Sequence, residues 1–302
     1  MKNIPLHPSR TYYSQATIAS RKPRATKTGF ALVVASAFAI IPLALNAAVI
    51  TPDFGNVPTG WAPDRYAPNS FSDVGTYQGR NDVLGIGISS AQSLANRPAP
   101  YQSAFYNTQG DGYQFGSLQG AGSVLSADLW ISSSMGDPAN GAIRTDMWGV
   151  MNGGEDYPII GFANTLNAPQ YAGSTGGHFQ IFDGTLNGGS GNWVILGTTV
   201  NYNAWNSFSI DYTGSSYVFD INGNAVYTEN ITDPLVTGFS AMIMEAVNFG
   251  DPATYPGVNP ADYTAYWSNT PVPEPTTMAA GAMLLLPLGA CVLGALRRKQ
   301  AV

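Results

Sequence analysis

Alternating apolar and polar positions are clearest in residues 205–228, WNSFSIDYTGSSYVFDINGNAVYT. Apolar residues at every second position predict β-strands, because successive side chains of a strand point to opposite faces. The Asn222-Gly223 pair predicts a two-residue type I′ turn, in which both central residues need a positive φ. The segment is therefore predicted to form a three-stranded antiparallel meander.

Similar short strand patterns recur throughout residues 49–270. No helical periodicity of useful length is found there, and turn residues return about every eight to twelve positions, which is typical of a β-sandwich or barrel. We predict one all-β domain of about ten to twelve strands. Besides the meander, strands are expected at residues 83–88, 125–131, 143–150, 178–182, 193–196, 239–249 and 263–267.

Two apolar stretches flank this domain, and each lies beside a cluster of positive charge. Residues 29–48 follow a basic segment, as in a secretory signal peptide, so we expect residues 1–48 to be a removable signal. A retained membrane anchor is the alternative. Residues 278–296 are nineteen uncharged residues, enough to cross a hydrocarbon core of about 30 Å. Arg297, Arg298 and Lys299 follow them and should stop transfer and stay in the cytoplasm.

The charges of the chain are strongly segregated. Of the 13 lysines and arginines, only Arg65, Arg80, Arg97 and Arg144 fall within residues 49–270, against 18 of the 19 carboxylates. The resulting net charge of −14 excludes a nucleic-acid-binding domain, which would need a basic surface. The single cysteine lies in the C-terminal apolar stretch, so neither an intramolecular disulfide nor a cysteine-based zinc site is expected.

The C-terminal segment resembles a known sorting signal. Val272-Pro273-Glu274-Pro275, an apolar helix and a short basic tail follow one another, as in the PEP-CTERM signals of Gram-negative bacteria. The resemblance covers residues 271–302 and implies cleavage by exosortase, after signal peptidase has acted at the other end. It further implies transient attachment to the inner membrane and delivery to the cell surface or extracellular matrix. A plain tail anchor on a proline-rich stalk is the alternative.

Residues 205–228 also resemble the late meander of concanavalin A-like lectin and glucanase domains. The resemblance lies in a strand that starts near a tryptophan, a strand that ends in Asn-Gly and a short return strand. It implies an antiparallel two-sheet jelly-roll sandwich for residues 49–270, in which the concave sheet often holds a glycan and a calcium ion lies nearby. Calcium is the one cofactor we consider. No EF-hand spacing is found, and the aspartates could serve only to make the surface acidic and soluble.

Hydrolases of that superfamily carry two glutamates and an aspartate on one strand, as E-x-D-x-x-E, which supplies the acid and the nucleophile of a retaining mechanism. The only glutamates of residues 49–270 are Glu155, Glu229 and Glu245, and none has that spacing. We therefore expect no enzyme and no catalytic residue, but non-catalytic binding to, or structural association with, extracellular polysaccharide. The alternatives are a glycan-active hydrolase or lyase with a non-standard carboxylate pair, and a purely structural spacer.

Three residues are candidate ligand-binding positions. Glu245 shares its predicted strand face with apolar residues, and a carboxylate there needs a partner or a raised pKa. It either reaches an arginine from a sheet edge or strand end, or binds a ligand in a cleft. Trp148 and Trp193 could stack on sugar rings, although aromatic residues at strand positions are more often part of the core.

Overall fold

Fifteen β-strands in the described part of the chain form two packed sheets. The computed structural model describes residues 48–153, 156–165 and 176–269. All pairings between the strands are antiparallel except one, in which β1 runs parallel to β6. The prediction of an all-β, two-sheet antiparallel sandwich is confirmed.

Sheet A contains eight strands. Its hydrogen-bonded order is β13-β12-β11-β6-β15-β4-β3, and β1 lies beside β6 outside this path. The strands are β1 (Ala48–Ile50), β3 (Ser70–Asp73), β4 (Leu84–Ile88), β6 (Ser123–Ile131), β11 (Ala204–Tyr212), β12 (Ser216–Ile221), β13 (Asn224–Asn230) and β15 (Tyr263–Ser268).

Sheet B contains seven strands in the order β10-β9-β8-β7-β14-β5-β2. The strands are β2 (Trp61–Pro63), β5 (Thr108–Gln119), β7 (Arg144–Met151), β8 (Ile159–Ala163), β9 (His178–Asp183), β10 (Asn192–Ile195) and β14 (Phe239–Val247).

Helices in the described residues are short and lie in the connections. The two α-helices are α1 (Ser133–Gly136) and α2 (Leu186–Gly189). The 3₁₀ turns are Ser90–Gln92, Leu94–Asn96, Ala99–Tyr101, Ala104–Asn107 and Pro138–Asn140. None of these helices is long and apolar enough to cross a membrane.

The core lies between the two sheets and is filled by alternate residues of their strands. Burial of such side chains supplies the main favourable contribution to folding. Phe208 and Trp267 of sheet A pack with ring centroids 5.7 Å apart. Trp267 Nε1 also donates a hydrogen bond of 3.0 Å to Thr145 Oγ1 of sheet B, and Thr145 Oγ1 donates one of 2.8 Å to the Glu245 carbonyl oxygen. This chain of bonds ties β15, β7 and β14 together.

The predicted meander is confirmed as β11, β12 and β13. Strands β12 and β13 are joined through Asn222 and Gly223, whose φ angles are 53° and 75°. These are the positive values that a type I′ turn requires. The alternation in β11 buries Phe208, Ile210 and Tyr212 in the core.

Strand β5 was not predicted, although at twelve residues it is longer than its neighbours. Its sequence, TQGDGYQFGSLQ, contains three glycines that interrupt the apolar alternation. Gly110 is needed by the adjacent strand, because a Cβ atom there would lie 2.6 Å from the Cβ of Glu245. The glycine that interrupts the alternation of β5 therefore also leaves space for the side chain of Glu245 on the neighbouring strand.

The predicted signal peptide and sorting segment lie outside the described residues, apart from Ala48, which begins β1. The residues outside the described part include the sorting motif, Val272, Pro273, Glu274 and Pro275, and the basic tail with Arg297, Arg298 and Lys299. These assignments stay predictions.

Candidate functional site

The outer face of sheet B, which is turned away from sheet A, carries two carboxylates directly opposite each other. Asp146 of β7 and Glu245 of β14 are paired in the sheet register, so their side chains lie side by side on one face. Both side chains are fully buried. We call this outer face the site face.

Glycines flank the carboxylate pair on both sides. Gly161 of β8 is paired with Asp146, and Gly110 of β5 is paired with Glu245. A Cβ atom at Gly161 would lie 2.8 Å from the Asp146 Cα, well inside van der Waals contact. No side chain at either neighbouring position therefore takes up the space beside the two carboxyl groups.

Two arginines contact the pair. Arg65 Nη1 lies 2.9 Å from Glu245 Oε2 and 2.6 Å from Asp64 Oδ2. Arg144 Nε lies 2.6 Å from Asp146 Oδ2. The other Glu245 oxygen, Oε1, has no hydrogen-bond partner among the described residues. Asp146 Oδ1 likewise accepts no hydrogen bond that meets standard geometry, so each carboxyl group keeps one oxygen with spare hydrogen-bonding capacity.

Aromatic rings border the arginines. The Arg65 guanidinium lies 4.9 Å from the Trp148 ring centroid and 4.7 Å from that of Phe105, which is 59% exposed. The Arg144 guanidinium lies 3.9 Å from the Trp193 ring centroid. These are cation–π distances. The rings of Trp148 and Trp193 are half-buried and give the site face an aromatic rim.

The structure places all three predicted ligand-binding residues on the site face. Arg65 contacts both Glu245 and Trp148, and Arg144 links Trp193 to Asp146. The prediction that Glu245 reaches an arginine is confirmed. Its placement at an edge or strand end is wrong, because β14 lies between β7 and β5 and Glu245 is two residues from its end.

Burial changes the acidity of both carboxyl groups. It raises the pKa of Asp146 to about 6, and the neighbouring Arg144 opposes this rise. Burial also raises the pKa of Glu245 well above its ordinary value. Arg65 opposes the rise, and the charge of Asp146 adds to it. Near neutral pH, Asp146 is therefore mostly ionised, whereas burial favours the protonated form of Glu245.

An acid and a carboxylate held side by side are the groups that glycoside hydrolysis uses. Directly opposed residues of an antiparallel pair have Cβ atoms about 4.5–5.5 Å apart. The pair comes from two neighbouring strands, since the residues that share the face of Asp146 on β7 are Arg144, Trp148 and Val150, none of which is acidic.

Several residues of the site face were missed by the sequence analysis. Asp146, Arg65, Gln180 and His178 all lie on or against it, with Gln180 in the same row of the sheet as Asp146. His178 is 8% exposed and its Nδ1 lies 3.3 Å from the Gly176 carbonyl oxygen. The only sequence signal for Asp146 is its position two residues before Trp148, on the same strand face.

No metal centre is evident in residues 48–153, 156–165 and 176–269. No three His, Cys, Asp or Glu side chains come close enough there to hold an ion. Calcium binding therefore stays a prediction.

Comparison with known proteins identifies relatives in fold. No protein-family model matches the chain, and no curated protein sequence matches it significantly. Among solved structures, the chain is similar to a glycoside hydrolase family 16 endo-glucanase from Bacteroides ovatus, with 13% identity and a TM-score of 0.44 over 72% of this chain and 98% of that one. It is also similar to the β-glucanase of Bacillus licheniformis, with 14% identity and a TM-score of 0.41 over 72% and 93%.

A third similar structure is the Crh5 transglycosylase, with 13% identity and a TM-score of 0.40 over 74% of this chain and 83% of that one. At such identities the similarity concerns the sandwich fold alone. These relatives in fold are nevertheless glycan-cleaving and glycan-transferring enzymes. The solved structures that share the fold are glucanases and a transglycosylase, which contradicts the predictions of a non-catalytic binder and of no enzyme activity.

Proposed function

We propose that the protein is a glycan-active enzyme that cleaves or transfers glycosidic bonds on the site face of sheet B. The observation that carries this proposal is the carboxylate pair of Asp146 and Glu245, opposed on neighbouring strands and flanked by glycines. Aromatic rings at the rim supply flat apolar surfaces on which sugar rings can stack.

Each residue has a distinct role in this proposal. Glu245 is the general acid, since burial raises its pKa and it can give its proton to the leaving oxygen. Asp146, held in place by Arg144, is the carboxylate that faces the positive charge developing on the sugar. Trp148 and Trp193 position the substrate. Arg65 and Arg144 orient the two carboxyl groups and take no part in proton transfer.

We also propose that this activity is exerted outside the cytoplasm. The apolar segment before residue 48 and the PEP motif with its basic tail support export and processing by exosortase. An extracellular polysaccharide is the corresponding substrate. Intact-mass spectrometry of the protein from its own host tests the processing, because a mature form that retains residues 276–302 would contradict it.

The activity is tested by measuring reducing-end release from a panel of neutral polysaccharides. Glu245→Gln and Asp146→Asn keep the side-chain shape and should each lower kcat by about 10²–10⁴-fold. Asp82→Asn is the matched control, because Asp82 is exposed and asparagine accepts its φ of 54°. Release that is unchanged in both site variants, or no release by the folded wild type on any polysaccharide, would contradict the proposal.

A further inference from the structure

A second group of carboxylates lines a cleft at one side of the sandwich, between the end of β9 and the end of β13. The cleft has a volume of about 590 Å³, which is within the usual range for small-molecule sites. We call it the side cleft. Its lining includes Asp156, Tyr157, Phe182, Gly184, Glu229 and Asp233.

Glu229 is the central group of the side cleft. It is 2% exposed, and its Oε1 accepts a hydrogen bond of 2.8 Å from the Gly184 N–H. Its Oε2 has no hydrogen-bond donor among the described residues. A buried oxygen without a donor is costly, so a ligand that brings an N–H to this place would gain a strong hydrogen bond.

Two aspartates are held next to Glu229 by hydroxyl and amide donors. Asp183 Oδ2 accepts from the Tyr227 hydroxyl at 2.6 Å, and Asp183 Oδ1 accepts from Thr185 Oγ1 at 2.6 Å. Asp156 Oδ2 accepts from the Tyr217 hydroxyl at 2.7 Å. These donors are neutral, and they fix the carboxylates without cancelling their charge.

No cation of the domain is available to the side cleft. Residues 49–270 contain four arginines and no lysine. Arg65 and Arg144 bind the site-face carboxylates, Arg80 pairs with Asp128, and Arg97 donates to Asn107. The side cleft is therefore a cavity with uncompensated negative charge and with aromatic walls from Phe182 and Tyr157.

We propose that the side cleft binds a protonated primary amine on a polar carrier of sugar size, with Glu229 and Asp156 accepting its N–H groups. An organic amine fits better than a metal ion, because no three carboxylates among the described residues converge closely enough to hold one. The volume also exceeds what a bare ion needs. This site is separate from the Asp146–Glu245 pair and does not depend on the activity proposed for it.

Amine binding should be linked to proton release from Glu229. Burial, together with the charges of Asp183 and Asp156, raises the pKa of Glu229 to about 8. A bound cation favours the carboxylate and lowers this pKa, so a proton leaves and affinity rises between pH 6 and pH 8.5. The titratable groups around Glu229 are Asp156, Asp183, Asp233, Tyr217 and Tyr227.

The test is isothermal titration calorimetry of the full chain with 2-aminoethyl β-glucoside and, as its neutral match, 2-hydroxyethyl β-glucoside. We expect the amine to bind at least tenfold more tightly than the alcohol at pH 8.5. Titration in two buffers of different ionisation enthalpy should reveal proton release. Glu229→Gln should weaken amine binding at least tenfold at pH 8.5 and abolish the proton release, whereas Asp82→Asn should change neither.

Equal affinity for the two glucosides, or amine binding unchanged in Glu229→Gln, would overturn the proposal. Tight calcium binding that excludes the amine would also overturn it, in favour of a metal site. If Glu229→Gln fails to fold, the pH dependence and proton release of the wild type decide alone. Glycan cleavage is not a readout here, so inactivity of the site face leaves this test intact.

Discussion

Glu245 and Glu229 are both withdrawn from solvent, yet only Glu245 has an arginine beside it. On the site face, Arg65 contacts Glu245 and Arg144 contacts Asp146, so each carboxyl group has a cation beside it. In the side cleft, Glu229 has a backbone N–H and lies with two aspartates whose donors are neutral hydroxyls and amides. The same residue type is therefore buried in two ways.

The two sites differ in their share of the four arginines of the described domain: the site face has Arg65 and Arg144, and the side cleft has none. A buried carboxylate needs a cation, a set of hydrogen-bond donors or a proton. The site face uses cations, which also contact its aromatic rim. The side cleft uses donors and a proton and leaves a net negative charge for a ligand. Each of the following predictions tests one side of this difference.

The largest expected effect is the loss of an arginine from the site face. Arg65→Met would leave Glu245 fully buried without its cation, and breaking a buried pair from one side costs about 3–5 kcal/mol. Urea unfolding measures the loss. Adding Glu245→Gln to Arg65→Met should restore part of it, because glutamine cannot ionise and therefore never leaves a buried negative charge without its cation.

A loss below about 1 kcal/mol in Arg65→Met, or no recovery in the double variant, would contradict the view that Arg65 compensates Glu245. Arg144→Met should behave in the same way toward Asp146, which is also fully buried.

The next effect is a pH dependence of stability that comes from the side cleft. The pKa of Glu229 is about 8 in the folded chain and near the ordinary 4.5 in the unfolded chain. Folding thus favours the protonated form, and the resulting stability is complete below pH 4.5 and is lost as the pH rises through 8. Between pH 5 and pH 8 the loss should be about 2–4 kcal/mol.

Glu229→Gln provides the comparison for this measurement, since glutamine cannot ionise. Urea unfolding at pH 5, 6.5 and 8 should show a flatter profile for the variant than for the wild type. Parallel profiles would mean that Glu229 does not titrate in this range. Asp146 also has a raised pKa and loses stability in the same direction, but it does so equally in both proteins.

A smaller effect is expected from adding one methyl group at matched glycines. Gly161→Ala would press a Cβ atom against Asp146, whereas Gly184→Ala would bring one no closer than 3.4 Å to Glu229 Oε1. We expect Gly161→Ala to cost about 1–3 kcal/mol and Gly184→Ala to stay within about 0.5 kcal/mol. Thermal unfolding of the two variants side by side checks this. Similar losses in both would show that the close packing is not special to the site face.

The smallest effect is expected at the aromatic rim. Trp193→Ala removes the ring that lies over Arg144, and such a contact is worth about 1 kcal/mol at a partly exposed site. If Trp193 also carries a sugar ring, KM should rise about fivefold with little change in kcat. Trp193→Phe should keep most of both effects. An unchanged KM in Trp193→Ala would assign the ring to structure alone.

Local signals explain which parts of the fold could be predicted from the sequence. The β11–β13 meander could be predicted because its alternation and its Asn222-Gly223 turn are contained in one short segment. Strand β5 could not, since its glycines respond to a neighbour, Glu245, that is distant in the sequence. Glycine is required at position 110 only because β14 lies beside β5 in the folded sheet.

The same reasoning applies to the candidate sites. Glu245 could be singled out because a charge among apolar residues is visible in one strand. Its partner Asp146 could not, because their pairing depends on the register between β7 and β14. Glu229 and Asp183 belong to different sheets, and no spacing in the sequence indicates that they are close in the structure.

The hydrogen bond between Asn269 Nδ2 and the Pro52 carbonyl oxygen, 2.5 Å long, brings the two ends of the described domain together. Strand β1, at the start, and strand β15, just before Asn269, both pair with β6 in sheet A. The chain thus enters and leaves through the layer opposite the site face. If the domain is attached to a surface through either end, the attachment lies on the side of sheet A. A long polymer could then lie across sheet B without passing the point of attachment.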